Sequence, residues 1–201
     1  MSRGIVRHGL PCVKGEPESG ARPLFEPAEH AGRQLRCGST ATRRARLAIM
    51  GHATLQIVAR VRNGRTSMDD RDWGAVESAI VMEPGLEKAL TGLDDFTHAI
   101  VVFHMHLDPD GETPTLVRRP RGRDDMPLRG VFAQRGRMRP NPIGVTTVAI
   151  LRVESDRVVV RGLDAVDGTP VLDLKPYVPL FDRPESPGVP AWMERLMRGY
   201  F

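Results

Sequence analysis

Residues 145–163, VTTVAILRVESDRVVVRGL, decide the fold. β-Branched residues dominate both halves, and Ser155-Asp156 stands between them. A side chain that branches at Cβ packs well on a pleated surface and loses rotamer freedom in a helix. Two such runs joined by two small polar residues read as a tight hairpin, residues 145–154 against 157–163. Working outward, the same texture recurs at 54–61, 75–82, 98–106, 115–118, 131–134 and 171–174. Two short helices fit, one at 84–91 with Pro84 at its start and Gly92 as its stop, and one at 191–198 ending at Gly199. Eight short strands with few helices predict a mainly β protein, a sandwich or a single small β-barrel. No GxGxxG follows a strand, so the doubly wound nucleotide-binding architecture is not signalled.

Composition adds a boundary. The chain has 201 residues and a formal net charge of +4. Residues 1–49 hold nine Lys/Arg and four Asp/Glu, against 20 and 21 in the rest, so the first part carries +5 and the second −1. That first part is rich in Gly, Pro, Arg and Ser and shows no sustained period. Such a segment buries too little apolar surface to offset its chain entropy, and is expected to be disordered. Met50 stands just ahead of the strand-rich region. It reads as the true start, with residues 1–49 an upstream extension and residues 50–201 the folded domain. Cys12 and Cys37 both lie in the extension without metal-ligand spacing, which fits a reducing, cytoplasmic setting. No apolar run approaches the roughly 18 residues of a membrane helix.

Upstream of the hairpin lies a polar corner, VFAQRGRMRPNPIGVT at 131–146. Arg135, Arg137 and Arg139 alternate, which on an extended segment places three guanidinium groups on one side. Pro140 and Pro142 fix the backbone on either side of Asn141. A rigid amide beside a cationic row suits an anionic or zwitterionic ligand; a plain surface turn is the alternative. Residues 118–139 contain eight arginines and only Asp124 and Asp125 as acids, a patch able to meet phosphate or a merely solvated loop.

Downstream, DAVDGTPVLDLKPY at 164–177 carries Asp164, Asp167 and Asp173. Carboxylates accept from ribose hydroxyls or face a cation, and the backbone around Gly168 can approach a base closely because glycine has no Cβ. The alternative is an ordinary hairpin turn. His104 and His106, two apart on a strand, share a face. They make at most half a zinc site, so no metal is expected.

GVFAQR (130–135), RPNPIG (139–144) and GLDAVDGTPVLDLKPY (162–177) resemble the signature blocks of the TsaA-like family, also called YaeB or TrmO. LDDFTHAIVVFHMH (93–106) resembles its GLEGFSH…FxFH block. The blocks fall in order, and the resemblance runs from about Leu55 to Tyr177. It implies a small β-barrel that binds S-adenosyl-L-methionine, usually as a homodimer, and methylates N6 of threonylcarbamoyl-adenosine beside the anticodon of tRNA. Carried onto this chain, the cofactor contacts are Trp73, Gly74, His106, Leu107, Arg135, Val145, Asp164, Val166, Asp167, Gly168 and Thr169. Asn141 is expected to orient the acceptor amine by its side-chain carbonyl, with Tyr177 as a second candidate for that role. Arg137, Arg139 and Lys175 are expected to hold RNA. Leu116, Val117 and the strand around Val131 are candidates for the subunit contact. Two departures stand out: Gly136-Arg137-Met138 replaces a common Ser-Pro-Phe, and Gln134 replaces a threonine. A non-catalytic protein that senses S-adenosyl-L-methionine or binds RNA is the second function class.

Overall fold

A computed structural model of the chain describes residues 53–107 and 115–201. The expectations for residues 1–49, Cys12 and Cys37 included, lie outside the described residues. The described residues form eight strands: β1 Ala59–Arg62, β2 Glu77–Met82, β3 His98–His104, β4 Val117–Arg118, β5 Arg129–Gly130, β6 Ile143–Val153, β7 Arg157–Arg161 and β8 Pro170–Pro176. Two short α-helices follow, α1 Pro179–Asp182 and α2 Ala191–Leu196. Six strands close into a barrel in the order β1-β2-β7-β6-β3-β8, while β4 and β5 form a separate ribbon. Closure leaves these strands no free edge.

The hairpin read from the sequence is present. Glu154 N–H donates to the Arg157 carbonyl at 2.8 Å, and the Arg157 guanidinium forks onto the Asp156 carboxylate. Alternation then fills the barrel. On β3 the odd residues Ala99, Val101 and Phe103 point inward, and Val148, Val158, Val160, Val61 and Ile80 meet them. Each fully buried Val or Ile side chain contributes about 1.5–3 kcal/mol relative to exposure. Gly144 pairs with Phe103 across β6 and β3, and a Cβ at Gly144 would overlap the Phe103 ring.

Three expectations about elements need correction. Residues 131–134 are not a strand: Val131–Ala133 is a 3-10 turn, and the strand is the pair of residues before it. Gln134 is the cause, because its side-chain amide donates to the carbonyls of both Arg118 and Arg129 and draws the chain in. Residues 84–91 hold only one 3-10 turn, Glu87–Leu90, between Gly85 and Gly92 at positive φ. Strand β1 starts at Ala59, later than residue 54, because residues 53–57 are exposed.

Every strand pair in the barrel is antiparallel. The connections therefore divide between two ends. Residues 63–76, 105–107, 115–142 and 162–169 meet at one end; residues 83–97, the 154–156 turn and the exit from β8 occupy the other.

Candidate functional site

The first of these ends collects most of the residues singled out in the sequence. In the β7–β8 connection, the Asp167 carboxylate accepts from the backbone N–H of Asn63 at 2.8 Å and of Gly64 at 3.1 Å. Those two donors, with Arg62 nearby, hold its carboxyl below the usual carboxylate range. The backbone N–H groups of Asp167, Gly168 and Thr169 donate to the carbonyls of Arg65, Val61 and Val166. All three amide protons are thus engaged within the protein. The loop ties β8 to the turn after β1, and Gly168, at φ 78°, permits the bend. Val166 is partly buried in this loop and Thr169 is buried.

Asp164 lies deeper. Thr146 Oγ1 and Tyr200 Oη both donate to its carboxylate, Tyr200 at 2.8 Å. Burial raises the Asp164 pKa, against the lowering effect of these two donors and of the Arg135 charge. Burial, followed by the Asp164 charge, raises the Tyr200 phenol in turn. Tyr200 belongs to a C-terminal segment that docks on this end. Trp73 N–H donates to the Tyr200 carbonyl at 2.9 Å, and a Cβ at Gly74 would lie 2.9 Å from the Phe201 carbonyl carbon. Trp73 is 3% exposed, with the Arg65 guanidinium 3.8 Å from its ring centroid. It is a core residue of its loop. Thr146 and Tyr200 escaped the sequence reading. An inward position on β6 marks Thr146, whereas nothing local marks Tyr200.

The arginine row does not survive as a row. Residues 134–142 bend repeatedly, and Arg139 N–H donates back to the Arg137 carbonyl at 2.8 Å. Arg135 donates to the Val145 carbonyl, and Arg137 reaches Met68 Sδ at 2.9 Å. Arg139 turns back on its own loop, donating to the carbonyls of Gly136, Val131 and Gln134. The three guanidiniums therefore point to different partners. Backbone hydrogen bonds tie the proline corner down on both sides. The Asn141 carbonyl accepts from Ile143 N–H at 2.7 Å, the Pro142 carbonyl accepts from Met105 N–H at 2.8 Å, and the Asn141 side chain is exposed.

Val145 follows that corner in the chain, and His106 and Leu107 follow Met105, which bonds to it; Leu107 and Val145 are exposed apolar residues and His106 is half-buried. Burial, then the His104 and Arg60 charges, lowers the His106 pKa, so its imidazole is neutral at pH 7. This end offers apolar surface, a cation, a carboxyl group and a neutral imidazole. Such a set suits a ligand with a flat apolar part and separated charges.

Tyr177 and Lys175 are elsewhere. Tyr177 N–H donates to the His98 carbonyl, and its ring stands edge-on to His98. His98 and His104 begin and end β3, about 20 Å apart at roughly 3.3 Å per residue. Tyr177 therefore sits at the opposite barrel end from Asn141, and the two do not share a site within one chain. Lys175 pairs with Asp173 at 2.7 Å on the barrel exterior. Among the described residues, no group of three His, Cys, Asp or Glu side chains is placed to hold a metal ion.

The family model described as the tRNA-methyltransferase O N-terminal domain matches residues 66–183. A probable S-adenosyl-L-methionine-binding protein of Pyrococcus abyssi is 33% identical over 120 residues, covering 60% of this chain and 62% of that protein. A tRNA (adenine(37)-N6)-methyltransferase of Mus musculus is 38% identical over 100 residues, covering 50% of this chain and 23% of that protein. The crystal structure of TrmO from Pseudomonas aeruginosa matches at TM-score 0.56 and 27% identity, covering 69% of this chain and 61% of that chain. The chain thus spans less than two thirds of the length of each of these three proteins.

Proposed function

The chain belongs to the tRNA-methyltransferase O N-terminal domain family, and from that premise we propose that it binds S-adenosyl-L-methionine and methylates an adenine of tRNA at N6. The acceptor in this reading is threonylcarbamoyl-adenosine beside the anticodon. The names of the Pyrococcus and Mus relatives support the cofactor and the acceptor. The observation that carries the reading is the gathering, at one barrel end, of Arg135, Val145, His106, Leu107 and Asp164 near the fixed Asn141 corner.

The side chains fit the cofactor. Val145 and Leu107 supply apolar surface for a nucleoside face, Asp164 supplies a carboxyl group toward a positive charge, and Arg135 supplies a cation toward a carboxylate. S-Adenosyl-L-methionine, when bound, supplies a methyl group on a sulfonium, an electrophile that needs no metal or redox partner. The acceptor amine is a poor nucleophile because its lone pair is delocalised into the adenine ring. Most of the rate then comes from alignment. Asn141 is the aligning residue: its side-chain carbonyl accepts an N6–H and holds the remaining lone pair toward the donor. Tyr177 and Lys175 drop out of the single-chain site, and Asp167 serves the loop that frames it.

A homodimer belongs to the same reading. Phe132 is 85% exposed, and Leu116 and Val117 are exposed beside it on the ribbon, which supports an apolar contact there; Val131 is buried and contributes only from below. No described helix is long and apolar enough to cross a membrane. A tRNA acceptor supports a cytoplasmic setting as part of the same reading.

The test is methyl transfer by the full chain from labelled S-adenosyl-L-methionine to tRNA of a strain lacking the protein, read by nucleoside mass spectrometry. Transfer to the N6-substituted adenosine is expected, with 1:1 calorimetric binding of S-adenosylhomocysteine. Binding without transfer would reassign the chain to sensing, and neither signal would reject the reading.

A further inference from the structure

Three guanidinium groups come together where the β4–β5 ribbon meets the loop before β6. Arg118 arrives on β4, and Arg137 and Arg139 on the loop. Arg139 is occupied by three carbonyls. Among the described residues, Arg118 and Arg137 have no such carbonyls. The Nε of each is shielded from solvent and has no hydrogen-bond partner among the described residues. Arg137 Nη1 reaches a thioether sulfur, a weak acceptor. Burial, then the charges of Arg137 and Arg139, pushes the Arg118 guanidinium below its ordinary value. The neighbouring like charges and the unmet Nε–H donors both raise the free energy of this arrangement. An oxyanion relieves both, because it accepts from the planar fork and neutralises the repulsion.

Two neighbours put Arg118 there. Gln134 holds the Arg118 carbonyl at 3.1 Å and the Arg129 carbonyl at 2.8 Å, fixing the ribbon. Gly136 leaves the space that the guanidinium fills, since a Cβ at 136 would lie 2.9 Å from Arg118 Nη2. Gln134 and Gly136 thus act on one residue, the first through its carbonyl and the second through the space left for its side chain.

We propose that Arg118 and Arg137 form an oxyanion site that holds a charged group of the RNA acceptor, either a backbone phosphodiester or a carboxylate borne on the modified adenosine. That RNA is the source rests on the function proposed above, whereas the anion site itself stands on the arginine geometry.

The test follows arginine Nε–Hε resonances of the full chain by NMR during titration with inorganic phosphate. Saturable shifts at Arg118 and Arg137 are expected, weakened at least tenfold by Gly136→Ser, which displaces the flexible end of Arg118 without disturbing the core. Two tRNA transcripts, unmodified and threonylcarbamoylated, then identify the source. For a phosphodiester, Arg118→Ala and Arg137→Ala each lower the slope of log affinity against log salt by about 1 on both transcripts. For a carboxylate, each variant weakens binding of the modified transcript alone, by about tenfold. The proposal is overturned if phosphate leaves both resonances unmoved and both variants bind both transcripts with wild-type affinity and slope. Methyl transfer that fails while phosphate still binds would reject the proposed activity and leave the anion site intact.

Discussion

The Tyr200 hydroxyl donates to Asp164 Oδ2 at 2.8 Å, across 36 positions of sequence. That bond joins the C-terminal segment to the loop leaving β7 and favours the charged form of Asp164, against the larger effect of burial. Burial raises the Asp164 pKa above the ordinary value of 3.8. The folded state therefore holds this proton more tightly than the unfolded state does. Stability falls as pH rises from near 3.8 through the raised folded value, and the full cost is present above it. Asp164→Asn removes that dependence. Its stability relative to wild type should improve between pH 4 and pH 7 in urea unfolding, and a constant difference would contradict the assignment. Tyr200→Phe removes a donor, raises Asp164 further, and should destabilise the protein by about 1–2 kcal/mol at pH 7.

Gly144 faces Phe103 across the β3–β6 pair, inside the barrel. Phe103 is buried on all sides and cannot swing away. Gly144→Ala should therefore cost about 2–3 kcal/mol, the usual range for overpacking a core. Phe103→Leu in the same chain should recover part of that loss, a coupling that a double-mutant cycle in urea measures. Strict additivity of the two substitutions would show that the ring and the glycine do not share the space.

What the sequence reveals depends on the range over which the deciding contact acts. The 145–163 hairpin was legible because β-branched runs and a two-residue turn are local properties. The Asn141 corner was legible because prolines act on their own backbone. Residues 131–134 were misread as a strand because Gln134 bonds carbonyls five and sixteen positions away. The arginine alternation failed because Arg139 found three carbonyls on its own loop, and an alternating pattern says nothing about where a long side chain folds back. The N–H groups of Asp167 and Gly168 are taken by the turn after β1 and by β1 itself, partners about a hundred positions away that no local pattern announces.

Arg139 carries a prediction that separates it from its neighbours. Its donors close the 131–139 loop on the carbonyls of Val131, Gln134 and Gly136. Arg139→Ala should lower stability by about 2 kcal/mol and leave the salt dependence of tRNA binding near that of the wild type. Arg139→Lys should recover little, because one ammonium does not reproduce a planar fork that serves three acceptors. Urea unfolding and filter binding at several salt concentrations read both effects. A reduced salt slope with unchanged stability would return Arg139 to the RNA contact.

Asn141 carries the chemical prediction. Its backbone is fixed on both sides, by Ile143 N–H on its own carbonyl and by Met105 N–H on that of Pro142. The side chain is exposed and makes no hydrogen bond to the described residues, so the backbone alone keeps the corner in shape. Truncation at this position should leave the fold and the cofactor contacts in place. Asn141→Ala is expected to lower methyl transfer by about 10–100-fold, about 1.4–2.8 kcal/mol of lost alignment, with S-adenosylhomocysteine affinity within about twofold of wild type. The loss should fall on kcat rather than on cofactor affinity, because Asn141 acts on the acceptor amine and not on the donor. Single-turnover rates at saturating tRNA isolate that step. Wild-type turnover in the Asn141→Ala chain would remove the aligning role from this corner and move the search to Asp164.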